Sequence, residues 1–239
     1  MVREFRLELG GGEFLVGDEL PGRTPAYVYL HGLGSVRQGQ KSDSLFAHAR
    51  SRGRAALRVD QRGHGGSPGH LGEIPVSTLI ADAVRLLERT GPAVVVGSSL
   101  GGMVATHAAV RRPDLVLGLC LLAPAFGLMA NLERRLDAAG RLWTSNGLGF
   151  VVARHVLADA RALAVEEAGL PARLRVPTFL VHGTADDVVP AASSARFADA
   201  LRSTRHDLWL VPGGDHRLSE HADAIWPRLD ALLAAADHS

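Results

Sequence analysis

Pro92-Ala-Val-Val-Val-Gly-Ser-Ser-Leu-Gly-Gly-Met-Val-Ala-Thr-His-Ala-Ala-Val110 is the stretch from which the rest of the chain can be placed. Ala93 to Val96 is apolar and β-branched, as a strand buried on both faces needs. The residues after Gly102 are alanine-rich and favour a helix. Between the two, Gly97, Ser98, Ser99, Leu100 and Gly101 must make a sharp turn. Gly97-x-Ser99-x-Gly101 has the spacing of a nucleophile elbow, a strained strand-to-helix turn that lifts a serine above the end of a central strand. Such a turn crowds the residues two before and two after the serine, and glycine fits there. It also aims the Leu100 N–H at the space in front of the Ser99 hydroxyl, at the positive end of a helix dipole.

Upstream, Arg3 to Leu9 alternates charged and apolar residues, Gly10-Gly11-Gly12 supplies a turn, and Glu13 to Val16 continues extended, which predicts a half-exposed edge hairpin. Ala26 to Leu30 reads as a buried strand ending in His31-Gly-Leu-Gly-Ser35. A His-Gly loop at that place suits a second oxyanion donor, here the Leu33 N–H, with His31 bracing the loop by hydrogen bonds rather than exchanging protons. Lys41 to Arg52 is expected to be helical and Ala55 to Val59 a strand. The following loop, Asp60-Gln-Arg-Gly-His-Gly-Gly-Ser-Pro-Gly69, is dense in glycine but lacks the Gly-Lys-Ser/Thr of a phosphate cradle, so it reads as a rigid wall. From Val76 to Thr90 apolar residues recur at helical spacing until Gly91-Pro92 stops them.

Downstream, Leu115 to Ala123 is a buried strand in which Cys120 is expected to be a structural thiol. The alternation of strand and helix lapses from Pro124 to Pro171, where amphipathic runs such as Leu128 to Leu136 and Val151 to Leu163 predict a small helical cap over Ser99, at about residues 124–172. Trp143 and Phe150 within it are candidate substrate contacts, with core packing as the alternative for each. Val176 to Val181 restores a strand, Ala191 to Arg202 a helix, Asp207 to Val211 a last strand, and Leu218 to Ala236 a closing helix. This pattern predicts a single α/β domain over residues 1–239, a mostly parallel sheet with helices on both faces. Function in such sheets gathers at the carboxyl ends of the strands.

Composition narrows the field. With 26 Lys and Arg against 25 Asp and Glu there is no net field to recruit nucleic acid or an anionic membrane, so a small-molecule partner is expected. A single cysteine excludes an internal disulfide, and charges in Met-Val-Arg-Glu-Phe-Arg6 do not suit a signal peptide. No apolar run approaches the roughly 18 to 20 residues of a membrane helix. A soluble cytoplasmic location is therefore expected.

Three strand-end loops carry Ser99, the pair Asp186 and Asp187, and His216, in the chain order Ser, Asp, His. A serine hydroxyl needs a base, histidine titrates near neutrality, and a carboxylate holds the imidazole in one tautomer. Asp186 is preferred to Asp187 because it lies four residues after His182 and directly precedes Asp-Val-Val-Pro190. Gly213 and Gly214 leave the next loop free to place His216. A zinc reading of His216-Arg-Leu-Ser-Glu-His221 fails, because residues five apart on a helix diverge by roughly 140°. No metal is expected.

His31-Gly-Leu-Gly, Asp60-Gln-Arg-Gly-His-Gly-Gly-Ser67, Gly97-Ser-Ser-Leu-Gly-Gly102, His182-Gly-Thr-Ala-Asp-Asp-Val-Val-Pro190 and Asp215-His-Arg217 together resemble the α/β-hydrolase family over nearly the whole chain. Val-Gly-Ser-Ser-Leu-Gly-Gly, Asp-Asp-Val-Val-Pro and Gly-Asp-His-Arg look like the abhydrolase branch that contains a mitochondrial palmitoyl-protein thioesterase and acyl-glucuronide esterase. The resemblance implies cleavage of a carboxylic ester or thioester through an acyl-enzyme on Ser99, without a cofactor. By position it implies Asp186 as acid, His216 as base, and the N–H groups of Leu33 and Leu100 as oxyanion donors. The cap is short, so the resemblance implies neither a deep channel for a long acyl chain nor a lipase-type lid, and short or medium acyl chains are the expectation. A peptidase or carbon–carbon bond hydrolase on the same residues, and a non-catalytic binding protein on the same scaffold, are the alternatives. Epoxide or haloalkane hydrolysis calls for an aspartate where Ser99 stands.

Overall fold

Strands that are apolar on every residue must be covered on both faces, and helices that are apolar on one stripe can cover them. The computed structural model, which describes residues 1–202 and 205–236, has that arrangement. The strands are β1 (Arg3–Gly10), β2 (Glu13–Leu20), β3 (Arg23–Leu30), β4 (Arg54–Val59), β5 (Ala93–Ser98), β6 (Val116–Leu122), β7 (Arg141–Trp143), β8 (Gly149–Val151), β9 (Thr178–Gly183) and β10 (His206–Val211). The helices are α1 (Gln40–Ser51), α2 (Val76–Thr90), α3 (Leu100–Arg111), α4 (Leu128–Asn131), α5 (Arg154–Glu167), α6 (Leu170–Arg173), α7 (Ala191–Ala200) and α8 (Ala222–Ala236). Eight strands form one sheet in the order β1-β2-β4-β3-β5-β6-β9-β10, parallel from β4 to β10 and antiparallel at β1 and β2.

Strand β5 shows how the layers are made. All its residues are buried, with Val94 and Val96 in one apolar cluster and Ala93 and Val95 in the other. The first cluster is closed by Leu45 and Phe46 of α1 and by Ile225, Trp226 and Leu229 of α8. The second is closed by Leu79, Ile80, Leu86 and Leu87 of α2 and by Met103 and Val104 of α3. Each fully buried side chain of this size contributes about 1.5–3 kcal/mol. Cys120 lies in β6 with no exposure, and burial pushes its thiol far above the ordinary range, as a structural thiol requires.

Two expectations need correction. The N-terminal hairpin is not all edge: β1 is, but β2 runs on to Leu20 and pairs with β4 on its other side. Gly17-Asp18-Glu19 lies beyond the expected extended stretch of Glu13 to Val16, and within it Asp18 is buried and accepts hydrogen bonds from Arg37 Nε at 3.0 Å and Arg58 Nε at 2.9 Å. Paired in that way, a carboxylate is tolerated inside the sheet. The segment between β6 and β9 is also not purely helical. Leu128 to Leu136 divides into α4 and a 3-10 turn at Glu133–Arg135, and β7 and β8 then form an antiparallel hairpin. The turn signal is Asn146-Gly147: Gly147 sits at φ +83°, and the Thr144 N–H donates to Leu148 O at 2.9 Å.

Candidate active site

The turn from β5 into α3 places Ser99 at φ 53° and ψ −115°, a conformation non-glycine residues rarely adopt. Neighbouring backbone holds it there. The Ser99 N–H donates to Leu122 O at 2.9 Å, and its carbonyl accepts from the N–H groups of Gly102 and Ala125, each at 3.0 Å. The flanking glycines are compulsory, because a Cβ at Gly97 would lie 2.4 Å from Gly101 O and one at Gly101 2.2 Å from Leu30 O. Ser99 is thereby pressed against the loop that follows β3.

The hydroxyl of Ser99 donates to His216 Nε2 at 3.1 Å, and His216 Nδ1 donates to Asp186 Oδ2 at 2.7 Å. His216 follows β10 and Asp186 follows β9, so three strand ends converge on one hydrogen-bonded series. The Asp186 side chain is wholly buried, whereas Asp187 is exposed. Burial by itself would raise the Asp186 pKa. Hydrogen bonds from His182, His216 and the Val189 N–H outweigh it and hold the carboxyl well below the usual range. The backbone N–H groups of Val188 and Val189 both reach Oδ1 at 2.8 Å.

His182 is the functional residue that sequence reasoning used only as a marker. It is fully buried at the end of β9, with Nε2 3.0 Å from Asp186 Oδ2 and 2.9 Å from Val189 O. Both neighbours are acceptors, so this network assigns the proton to Nε2 and leaves Nδ1 to accept from Ser194 Oγ at 2.7 Å. His182 thus fixes the carboxylate that faces His216. Its signal in the sequence was the four-residue spacing to Asp186, which alone does not reveal a shared oxygen. His221 has a separate neighbour, lying edge-on to Trp209 at 6.2 Å while His216 points to Ser99.

The loop after β3 is braced as its sequence suggested. His31 Nδ1 donates to Gly32 O at 2.8 Å, its Nε2 accepts from the Gln61 N–H at 2.9 Å, and the Gln61 side chain donates to His31 O at 2.6 Å. Burial, with help from His64, lowers the His31 pKa to about 4, so the ring is neutral and able to accept. His64 Nε2 accepts from the Gly34 N–H at 3.1 Å. The glycine-dense loop wraps Asp60, which accepts from Arg37 N at 2.6 Å, Arg37 Nη1 at 2.5 Å and Gly66 N at 2.9 Å. Leu100 is the first residue of α3, directly after Ser99, and Leu33 lines a space shared with Ser99.

Two kinds of cavity meet at Ser99. One, about 490 Å³ including the open space at its mouth, is mainly apolar and runs beneath the segment between β6 and β9 among Leu71, Ile74, Leu128, Met129, Leu142 and Phe150, with Leu33, Leu100, Arg62 and His64 also on its wall. A smaller space continues from it past Leu33, Leu128 and Leu142 to Ser99, His216 and Trp143. Phe150 therefore lines the apolar cavity, and Trp143 stands at the adjoining rim, half exposed, with Nε1 donating to Asp137 Oδ2 at 3.1 Å. The other cavity is polar, about 990 Å³ to its mouth, and contains Lys41, which nothing in the sequence singled out.

A sheet in this order, with a serine on the turn after β5 and short helices and a hairpin between β6 and β9, is the architecture of the α/β-hydrolases. The chain belongs to that family. A family model described as serine aminopeptidase, S33, matches residues 24–147, and one described as prolyl oligopeptidase family matches residues 88–234. The chain is 32% identical over 219 residues to a mouse (Mus musculus) protein named palmitoyl-protein thioesterase ABHD10, mitochondrial, covering 85% of this chain and 73% of that one. It is 30% identical over 220 residues to the human (Homo sapiens) protein of the same name, covering 86% and 71%. Its fold is similar to the solved structure of mouse alpha/beta hydrolase domain-containing protein 10, with a TM-score of 0.81 and 27% identity over 99% of this chain and 97% of that one. Among the described residues no helix is long and apolar enough to cross a membrane.

Proposed function

We propose that this chain is a serine hydrolase that cleaves carboxylic esters or thioesters of short to medium acyl chains, with Ser99 as nucleophile, His216 as base and Asp186 as acid. The observation that carries this reading is the unbroken hydrogen-bonded series from Ser99 Oγ through His216 to Asp186 Oδ2. As Ser99 Oγ attacks the carbonyl carbon, its proton passes to His216 Nε2, and Asp186 stabilises the imidazolium that forms. The N–H groups of Leu33 and Leu100 receive the oxyanion, each such donor being worth about 2.7–4 kcal/mol. His216 returns the proton to the departing alcohol or thiol. Water, giving its proton to His216, attacks the acyl carbon, and as the bond to Ser99 Oγ breaks His216 returns that proton to Ser99, releasing the acid. Every step uses groups of the chain itself and no cofactor.

The apolar cavity is the place for the acyl chain, with Phe150 on its wall and Trp143 at its rim. We read the chain as one hydrolase domain in which the insertion at about 124–172 caps Ser99. The relatives' names include the word mitochondrial, so the cytoplasmic location expected from the N-terminal residues draws no support from them. The names of both family models are those of peptidases, which makes amide hydrolysis the second reading.

Labelling with a fluorophosphonate probe, mapping of the adduct and a p-nitrophenyl ester series of increasing acyl length test the proposal, with amino-acid p-nitroanilides run alongside. An adduct on Ser99 and ester turnover that peaks at a short or medium length is the expected result. Absence of an adduct in folded protein at neutral pH refutes it, and faster anilide than ester hydrolysis moves the assignment to the peptidase reading.

A further inference from the structure

Acyl transfer places the acyl chain and the leaving group on opposite sides of the carbonyl carbon, and the two sides of Ser99 differ sharply in character. Beneath the segment between β6 and β9 the wall is mainly aliphatic and aromatic, with Arg62 and His64 also on it. On the other side it is formed by Ser35, Gln38, Lys41, Asn146 and Arg217, with Ser98, Ser99 and His216 at the floor. Lys41 and Arg217 are cations, and no carboxylate is among the described residues that line this side.

We propose that the polar cavity is a leaving-group subsite selective for alcohols or thiols that carry an anion, a carboxylate or a phosphate, held by Lys41 and Arg217. The proposal rests on the ester and thioester reading above and adds the class of leaving group.

Lys41 is fixed close to the reacting atoms. Its Nζ donates to Ser98 Oγ at 2.8 Å, and Ser98 is the buried residue directly before Ser99. An ammonium has three donors, and among the described residues Ser98 is its one hydrogen-bond partner, so two donors are left for a ligand in the cavity. Burial lowers the Lys41 pKa to about 8, opposed by the more distant Asp215 and Asp186 and assisted by Arg217. Neither carboxylate hydrogen-bonds it. Asp186 is held by His182 and His216, and Asp215 Oδ1 accepts from the N–H groups of Arg217 at 3.0 Å and Leu218 at 2.9 Å. A desolvated cation with donors to spare is stabilised by an incoming anion. Arg217, exposed and next to His216 in sequence, supplies the second positive charge at the mouth. On the apolar side Arg62 is already paired with Asp82 and Glu13, and Arg135 donates to Val188 O, whereas no ion pair is formed by Lys41 or Arg217 among the described residues, which favours the polar side for an anion.

The test compares kcat/KM for pairs of thioesters with one acyl group and leaving groups that differ in charge. S-butyryl-N-acetylcysteine is set against its methyl ester, and S-butyryl-4′-phosphopantetheine against S-butyrylpantetheine. The wild-type chain is expected to prefer the anionic member of at least one pair by tenfold or more, and the pair with the larger ratio identifies carboxylate or phosphate. Lys41→Met is expected to bring that ratio close to one and Arg217→Gln to lower it several-fold. Because the ratio is taken within one variant, any general loss of activity cancels. Equal rates for both members of both pairs overturn the subsite while leaving the esterase reading intact. No turnover of any of the four substrates, with no probe adduct on Ser99, removes both.

Discussion

Replacing Asp186 with asparagine changes one atom for another of the same size and tests the site at the point where its geometry is most constrained. Oδ1 accepts from the N–H groups of Val188 and Val189, and Oδ2 faces the N–H donors of His182 and His216. An asparagine oxygen can satisfy only one side. Turned toward His216, it leaves its NH₂ group against two backbone N–H donors. Turned toward Val188 and Val189, it keeps both of those bonds and presents its NH₂ group to His216. The second orientation is the cheaper one. It makes His216 Nδ1 an acceptor and moves the ring proton to Nε2, where it faces Ser99 and the ring can no longer take the hydroxyl proton. A wrong tautomer of this kind costs about 10⁴ in kcat, which corresponds to about 5.5 kcal/mol. Asp186 lines none of the cavities at Ser99, so KM for a p-nitrophenyl butyrate substrate is expected to change little. Asp187→Asn, at an exposed position, serves as the control and is expected to stay within a few-fold of wild type. Steady-state kinetics on both variants, with thermal unfolding to show that each is folded, decides the matter. A kcat for Asp186→Asn within tenfold of wild type, or a larger loss in Asp187→Asn, refutes the reasoning.

Gly101→Ala places a methyl group 2.2 Å from Leu30 O and 2.6 Å from His31 O, so the elbow must move away from the loop carrying Leu33. A loss of about 1–3 kcal/mol in stability or more, and of at least a hundredfold in kcat/KM, is expected by urea unfolding and ester assay; near-normal values sink the close-approach argument. His31 and His107 are buried neutral, each with its pKa lowered to about 4, chiefly by burial. Because the unfolded chain binds these protons more readily, the stability they contribute is present above about pH 6.5 and lost as pH falls toward 4, up to about 3 kcal/mol for each. Urea unfolding between pH 7 and 4 reads this slope directly, and a flat profile excludes it. Phe150→Ala opens the wall of the apolar cavity and is expected to raise the rate ratio of octanoate to butyrate esters roughly tenfold. An unchanged ratio takes Phe150 out of acyl recognition.

Much of this chain could be read before its structure, for local reasons. The turn at Gly97 to Gly101, the helix from Val76 to Thr90 and the buried strands are each decided by steric demands and apolar periodicity within a few residues, so their extents were legible. The placement of Ser99, Asp186 and His216 on loops after strands was equally legible, because the strands that precede them are marked by their apolar runs. What lay beyond the sequence depends on atoms far apart in the chain. Asp18 tolerates a strand interior because Arg37 and Arg58 reach it, and Asp186 is singled out from Asp187 by burial against His182 and His216. Ser98 and Ser99 are the same residue type side by side, yet the turn sends one hydroxyl to Lys41 and the other to His216. Sequence pattern specifies which backbone conformations are possible and which faces are buried. Which polar atoms meet, and with them tautomer, charge and the division of the site into an apolar and a polar side, is set only when tertiary packing brings separate strand ends within hydrogen-bonding distance.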